Sequence, residues 1–224
     1  AAAENVTPVD ADVGDAYKLR VAAAEIEGAP GSNIKFNLQY SEYPDFRDGG
    51  TTLTATTSCS GGTLWCYFDG AATDNQTIAS TTLSGVDSCV AGVGAGCGTH
   101  NEVEGLIGVY DQPALATAEH EFTLVHDGAR VNQTYYFRLF DATNGVPVLA
   151  SSSYPSITTA GARLVFSVDG VAASTSIEGV VTDASSTPTG VDFSTVPLDT
   201  DVEAAHQLSV ETNGTEGYQI LMDF

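Results

Sequence analysis

Apolar and polar side chains alternate with period two along most of this chain. Tyr17, Leu19, Val21 and Ala23 alternate with Lys18, Arg20 and Ala22, and Ile34, Phe36, Leu38 and Tyr40 alternate with Lys35, Asn37 and Gln39. Successive side chains of a strand face opposite ways, so each run predicts a half-buried β-strand. Shorter runs read the same way: LWCYFD at 64–69, LIGVY at 106–110, FTLVH at 122–126, YYFRLFD at 135–141 and a last short run at 147–151. The turn dipeptide Asp127-Gly128 and the turn Thr143-Asn144-Gly145 punctuate them. Only Ala114–Glu121 has helical propensity, and it runs straight into the FTLVH alternation.

Past Ser151 a polar stretch, SSSYPSITTAG, precedes a second series of strand-like runs: RLVFSVDG, STSIEGVVTD, GVDFSTVPL, AHQLSVET and GYQILMDF. Short strands separated by turn signals at such spacing predict a sandwich or barrel. The expected fold is therefore all-β, with two Ig/fibronectin-like antiparallel β-sandwich domains. Residues 1–15 form an N-terminal extension, 16–159 the first sandwich and 160–224 a smaller, incomplete one. At about 150 residues per domain, 224 residues suit one or two.

NQTYYFRLFDATNG at 132–145 resembles strand F of a fibronectin type III domain, where T-Y-x-F-R-V-x-A runs into a turn. The matching positions are Thr134, Tyr135, Phe137, Arg138, Leu139, Ala142, Asn144 and Gly145. EFTLVHDGARVNQT looks like strand E with its connection to F, and IKFNLQYSEY is similar to strand C. The resemblance implies a sandwich in which Tyr135 forms a tyrosine corner, its hydroxyl bonded to backbone upstream, above Phe137 and Leu139 in the core. The segment from Pro44 to Ala118 then reads as a long insertion. The C-terminal run AHQLSVETNGTEGYQILM looks like the closing strands of secreted prokaryotic surface and pilus-like proteins.

Charge narrows the partners. Twenty-nine acidic residues against seven basic ones give a net charge of −22. Phosphate backbones and anionic membranes repel such a chain, so nucleic acid is not an expected partner. No stretch of about 18 apolar residues predicts a membrane span. The opening AAAENVTPVD has neither a basic nor an apolar signal region and suits a mature end.

Cys59, Cys66, Cys89 and Cys97 lack the short spacing of a zinc knuckle. Of three pairings, the two local ones are favoured, because closing a short Gly-rich loop costs little entropy. Disulfides point to an extracellular, cell-surface location. Half of the eight asparagines, Asn5, Asn75, Asn132 and Asn213, head N-x-T sequons, which in an exported protein accept glycans.

Catalytic patterns are missing: no G-x-S-x-G elbow, no P-loop, and no helical His pair. Of the histidines, His100 and His206 stand alone, while His120 and His126 share a face of one expected strand. No cofactor is expected. Calcium is the better ion candidate, because carboxylate oxygens in loops suit a hard cation. Asp10, Asp12 and Asp15 cluster in DADVGD, as do Asp199, Asp201 and Glu203 in DTDVE, although an acidic solvated loop is the simpler explanation of both.

Two functions fit. One is a non-enzymatic extracellular structural protein: a filament, pilus or surface-layer subunit in a homopolymer of identical subunits, its residues 1–15 donated as a strand to a neighbour. The other is an adhesin or carbohydrate-binding module, with Trp65 and Tyr67 exposed in a disulfide-bounded loop to stack on a glycan.

Overall fold

The computed structural model describes residues 4, 6–55, 59, 62–70, 73–89, 97–102, 110–150, 153–196, 198–213 and 217–219. Among them there is no helix, and the regular structure is entirely β. The chain divides into two compact units, Ala1–Gly161 and Ala162–Phe224. The first holds β1 (Tyr17–Ala24), β2 (Gly31–Ile34), β3 (Phe36–Ser41), β4 (Thr51–Thr52), β5 (Thr54–Ala55), β6 (Trp65–Tyr67), β7 (Cys97–Asn101), β8 (Tyr110–Gln112), β9 (Thr117–His126), β10 (Thr134–Asp141), β11 (Val146–Pro147) and β12 (Ser156–Thr158). The second holds β13 (Leu164–Gly170), β14 (Ser176–Ile177), β15 (Val180–Val181), β16 (Ser186–Thr187), β17 (Gly190–Val191) and β18 (His206–Thr212).

In the first unit, β9 organises one sheet. Along one edge it pairs antiparallel with β1; along the other it pairs parallel with β7 and antiparallel with β6, which continues to β5. Strand β10 organises the second sheet, flanked by β3 and β4 on one side and by β11 and β12 on the other. Their inner faces share one core that contains Leu38, Tyr40, Trp65, Phe122, Tyr135 and Phe137. Register explains the sorting. Tyr17, Leu19 and Val21 lie opposite Leu124, Phe122 and His120 on the inner face, so Lys18 and Arg20 are turned outward with Thr123 and Glu121.

Strands expected to be half-buried are buried on both faces. Every residue of β9 after Thr117 is buried, and so is β3 after Phe36. Two loops cover the outer faces. On β10, the Arg138 guanidinium donates to Gln39 Oε1 at 2.9 Å and to the Gly49 carbonyl at 2.7 Å, and it stacks 4.2 Å from the Phe46 ring. The 42–50 loop thus closes over β3 and β10, and the arginine of strand β10 is a buried tether rather than a solvent-facing residue.

The segment Ala114–Glu121 is not helical. Leu115 takes a left-handed φ of 56°, and the strand β9 starts two residues later. Tertiary pairing with β1 and β7 overrides a weak propensity. The 44–118 segment is not a peripheral insertion either, because β6 and β7 from within it pair with β9. LIGVY lies mostly outside the described residues, with only Tyr110 placed on a strand, and most of GYQILMDF lies outside them too.

The second unit is sparer than expected. Its described strands form three two-stranded ladders, β13–β18, β14–β15 and β16–β17, so no second sandwich is built from them. STSIEGVVTD, read as one strand, is instead a tight hairpin. Glu178 and Gly179 both have positive φ, 48° and 90°, as a two-residue turn between twisted strands requires.

Candidate assembly interface

The densest chemistry in the chain lies on the outer face of β9, where Glu119 and Glu121 stand two residues apart. Arg20 bridges them, at 2.6 Å from Glu119 Oε1 and 2.7 Å from Glu121 Oε2. Lys18 reaches Glu121 at 3.0 Å. His100 of β7 bonds Glu121 through Nδ1 at 2.8 Å and approaches Glu102 with Nε2 at 3.1 Å. Glu119 also accepts from the Thr82 and Leu83 amides at 2.8 and 2.7 Å, and Glu102 accepts from the Gly70 amide and the Thr123 hydroxyl. Burial alone would raise the Glu119 pKa, but the Leu83 and Thr82 amides and Arg20 outweigh it and hold it below the ordinary value. Glu121 is likewise held low, its burial opposed by Lys18, Arg20 and His100. The donors occupy these buried carboxylates, which fasten Gly70, Thr82, Leu83 and β7 onto β9. Among the described residues, no three His, Cys, Asp or Glu side chains form a group able to hold a metal.

The cysteines reinforce the same fastening. Cys59 pairs with Cys66 and Cys89 with Cys97, with Cα separations of 5.3 and 4.9 Å, inside the usual disulfide range. Cys66 lies on β6 and Cys97 on β7, so each bridge ties a loop to a strand that pairs with β9.

The aromatic reading of Trp65 and Tyr67 is corrected. Trp65 is 0% exposed and Tyr67 1% exposed. Trp65 packs edge-on against Tyr135 and Phe137, with ring centroids 5.7 and 5.1 Å away, while the Tyr67 hydroxyl accepts from the Leu38 amide at 2.8 Å. An indole at the centre of a core has no face to offer a sugar. Both strand histidines are inner-face residues: His126 lies 5.0 Å from Trp65 and His120 4.9 Å from Phe36. Tyr135 accepts from the Arg130 amide at 3.0 Å, the bond of a tyrosine corner.

Asp10, Asp12 and Asp15 are all exposed and not gathered into a cation-binding group, and neither are Asp199, Asp201 and Glu203. The backbone explains this for the first trio, because the segment carrying them runs along a sheet edge. The Thr158 amide donates to the Pro8 carbonyl at 2.9 Å, the Ala11 amide to Thr158 at 3.1 Å, and the Ala160 amide to Ala11 at 2.8 Å. Ala11 is buried in the core, and its carbonyl lies 3.1 Å from His126 Nε2. Residues 1–15, expected to extend freely toward a neighbour, therefore include a stretch that completes the β12 edge of its own unit. The hydrophobic pattern could not reveal this: alanine at position 11 is the one inward side chain, and the rest is backbone bonding.

Of the sequons, Asn132 is exposed at the turn before β10, Asn75 is half-buried, and Asn213 accepts from the Arg163 amide at 2.7 Å. Asn5 lies outside the described residues.

The second unit carries an exposed apolar face. In the β13–β18 register Phe166 faces Val210, Val168 faces Leu208 and Leu164 faces Thr212, which puts these side chains on one side of the ladder. Leu164 is 64%, Phe166 56% and Leu208 42% exposed. No helix among the described residues is long and apolar enough to cross a membrane. Comparison with protein-family models, curated proteins and solved structures finds no match to this chain.

Proposed function

We propose that this chain is a non-enzymatic structural subunit that works outside the cytoplasm and assembles with identical copies into a filament, pilus or surface layer. The observation that carries the reading is the uncovered β13–β18 face. A two-stranded ladder is marginal in water unless something packs on it, and exposed contiguous apolar surface marks an interaction site. A subunit of identical partners supplies that cover at every position. Two disulfide-distance cysteine pairs support an oxidising compartment. The first unit, with two sheets on one core, supplies the rigid sandwich-like body. Exposed Asn132 is the surface position best suited to a glycan in such a compartment.

The test is sedimentation and electron microscopy of the native protein beside Phe166→Asp. Ordered polymers in the native sample and dispersed subunits in the variant are expected. A native protein that stays monomeric at high concentration would falsify the reading.

A further inference from the structure

Asn144 and Gly145 lie in the turn between β10 and β11, just past the Asp141–Val146 pair that closes it. Asn-Gly occurs at only one other place in the chain, 213–214. The dipeptide carries a chemistry of its own. The glycine amide nitrogen attacks the asparagine Cγ, a C–N bond forms, the bond to Nδ2 breaks and ammonia leaves. Water then opens the succinimide ring at either carbonyl and leaves an aspartate or a β-linked isoaspartate. Water is the only co-reactant. Glycine admits the attack because no β-carbon obstructs the approach, and Asn144 is exposed to solvent.

The structure holds the reacting groups apart. The Gly145 amide, the nucleophile, donates to the Asp141 carbonyl at 2.8 Å. The Asn144 side-chain amide, the leaving group, donates to Asp141 Oδ2 at 2.7 Å. Asp141 Oδ1 accepts from the Thr143 and Asn144 backbone amides at 2.9 and 3.1 Å. Residue 141 thus grips nucleophile and leaving group separately, and neither turns toward the other without releasing it. Charge acts in the same direction. The attack builds negative charge on the glycine nitrogen and then on the side-chain oxygen, and a carboxylate within hydrogen-bond reach disfavours both. The turn is also pinned from outside. The Ala142 amide donates to the Lys35 carbonyl at 2.8 Å, and the Thr143 hydroxyl donates to the Asn33 carbonyl at 2.8 Å while accepting from the Lys35 amide at 3.1 Å. Asp141 itself is buried at the end of β10.

We infer that Asn144–Gly145 is a deamidation site kept shut by the Asp141 side chain. The lock is built from residues 141–145 and does not depend on the assembly reading. Opening it has a lasting effect. The carboxylate that replaces the Asn144 amide lies against that of Asp141, so two like charges stand where a donor met an acceptor. A β-linked product also lengthens the turn by one backbone carbon, and turn length fixes the register of the β10–β11 pair.

The test incubates the native protein, the same chain held unfolded in urea, Asp141→Ala and Asp141→Ser at mildly alkaline pH. Trypsin then cuts after Arg138 and Arg163 and releases peptide 139–163, in which Asn144 is the sole asparagine and glutamine is absent. Mass spectrometry reads its conversion, and the fluorescence of buried Trp65 reports whether each variant is folded. Asn144 should persist in the folded native protein. It should convert at least about tenfold faster in the unfolded chain and in folded Asp141→Ala, the factor that one hydrogen bond to a charged acceptor represents. Asp141→Ser keeps one oxygen for the backbone amides and none for Asn144 Nδ2, so its rate should fall between. It carries the comparison should Asp141→Ala unfold. Native protein that deamidates at Asn144 as fast as the unfolded chain would overturn the lock. Folded variants that convert no faster than the native protein would remove Asp141 from it.

Discussion

Between neutral pH and pH about 5, one imidazole should weaken the first unit. His120 is enclosed on the inner face of β9, and burial pushes its pKa from 6.5 down to about 4, with Glu119 opposing weakly. Its Nδ1 accepts from the Thr99 amide at 3.4 Å, a contact that a protonated ring would lose. The unfolded chain takes up this proton near 6.5 and the folded chain only near 4. Stability is therefore full above the unfolded value, falls as pH drops through that window, and is flat below it. Linkage over the step from about pH 7.5 to about pH 5 gives a loss of about 2 kcal/mol. Glu119 and Glu121 add little above pH about 5, since the unfolded chain takes up their protons only near 4.5 and the folded chain lower still. Trp65 is the only tryptophan and is fully buried in this unit, so its fluorescence in a urea titration reads this unit alone. His120→Gln keeps an acceptor for Thr99 without a proton to gain, and it should flatten the dependence. An unchanged wild-type midpoint across this range, or equal slopes in both proteins, would refute the reasoning.

Three further outcomes follow from the packing. Gly98→Ala should destabilise the first unit by at least about 2 kcal/mol in a urea melt, because a β-carbon there would sit 2.0 Å from the Glu119 carbonyl oxygen. Trp65→Phe should cost about 3 kcal/mol, toward the lower end of large-to-small core losses, read by thermal melting in circular dichroism. Tyr135→Phe strips the Arg130 amide of its acceptor and should cost about 1–2 kcal/mol by the same measurement.

The parts of the fold visible in the sequence are those governed by period-two burial. Tyr135, Phe137 and Leu139 face the core as their alternation requires, and AHQLSVET contains the β18 strand. Burial of the second faces was not legible, because it comes from segments distant in the chain. Glu119 and Glu121 look like a helical, solvated pair until Arg20, His100 and the Thr82–Leu83 amides are brought over them. AEHEF places Glu119 and Glu121 at alternate positions, as a strand would, but helix-forming residues surround them. Trp65 reads as exposed because it lies in a disulfide-bounded loop, yet a three-residue strand carries it into the core. Docking of residues 8–11 had no side-chain pattern to announce it, since main-chain bonds are blind to residue type.

The placement of the few cations has a consequence for assembly. Lys18 and Arg20 are committed to the carboxylates over β9, Arg138 is buried under the 42–50 loop, Arg130 pairs with Glu42, and Arg47 lies over Tyr43. Five of the seven basic residues thus already neutralise or cover something in their own chain, while the acidic excess remains. In the proposed assembly two copies would therefore meet as like-charged bodies with little positive charge to exchange across the seam. Mobile counterions from the surroundings must supply the balance, and they do so more fully as ionic strength shortens the screening length. In the proposed assembly the medium becomes a component of the joint: lowering the salt should loosen such a polymer before it unfolds the subunit.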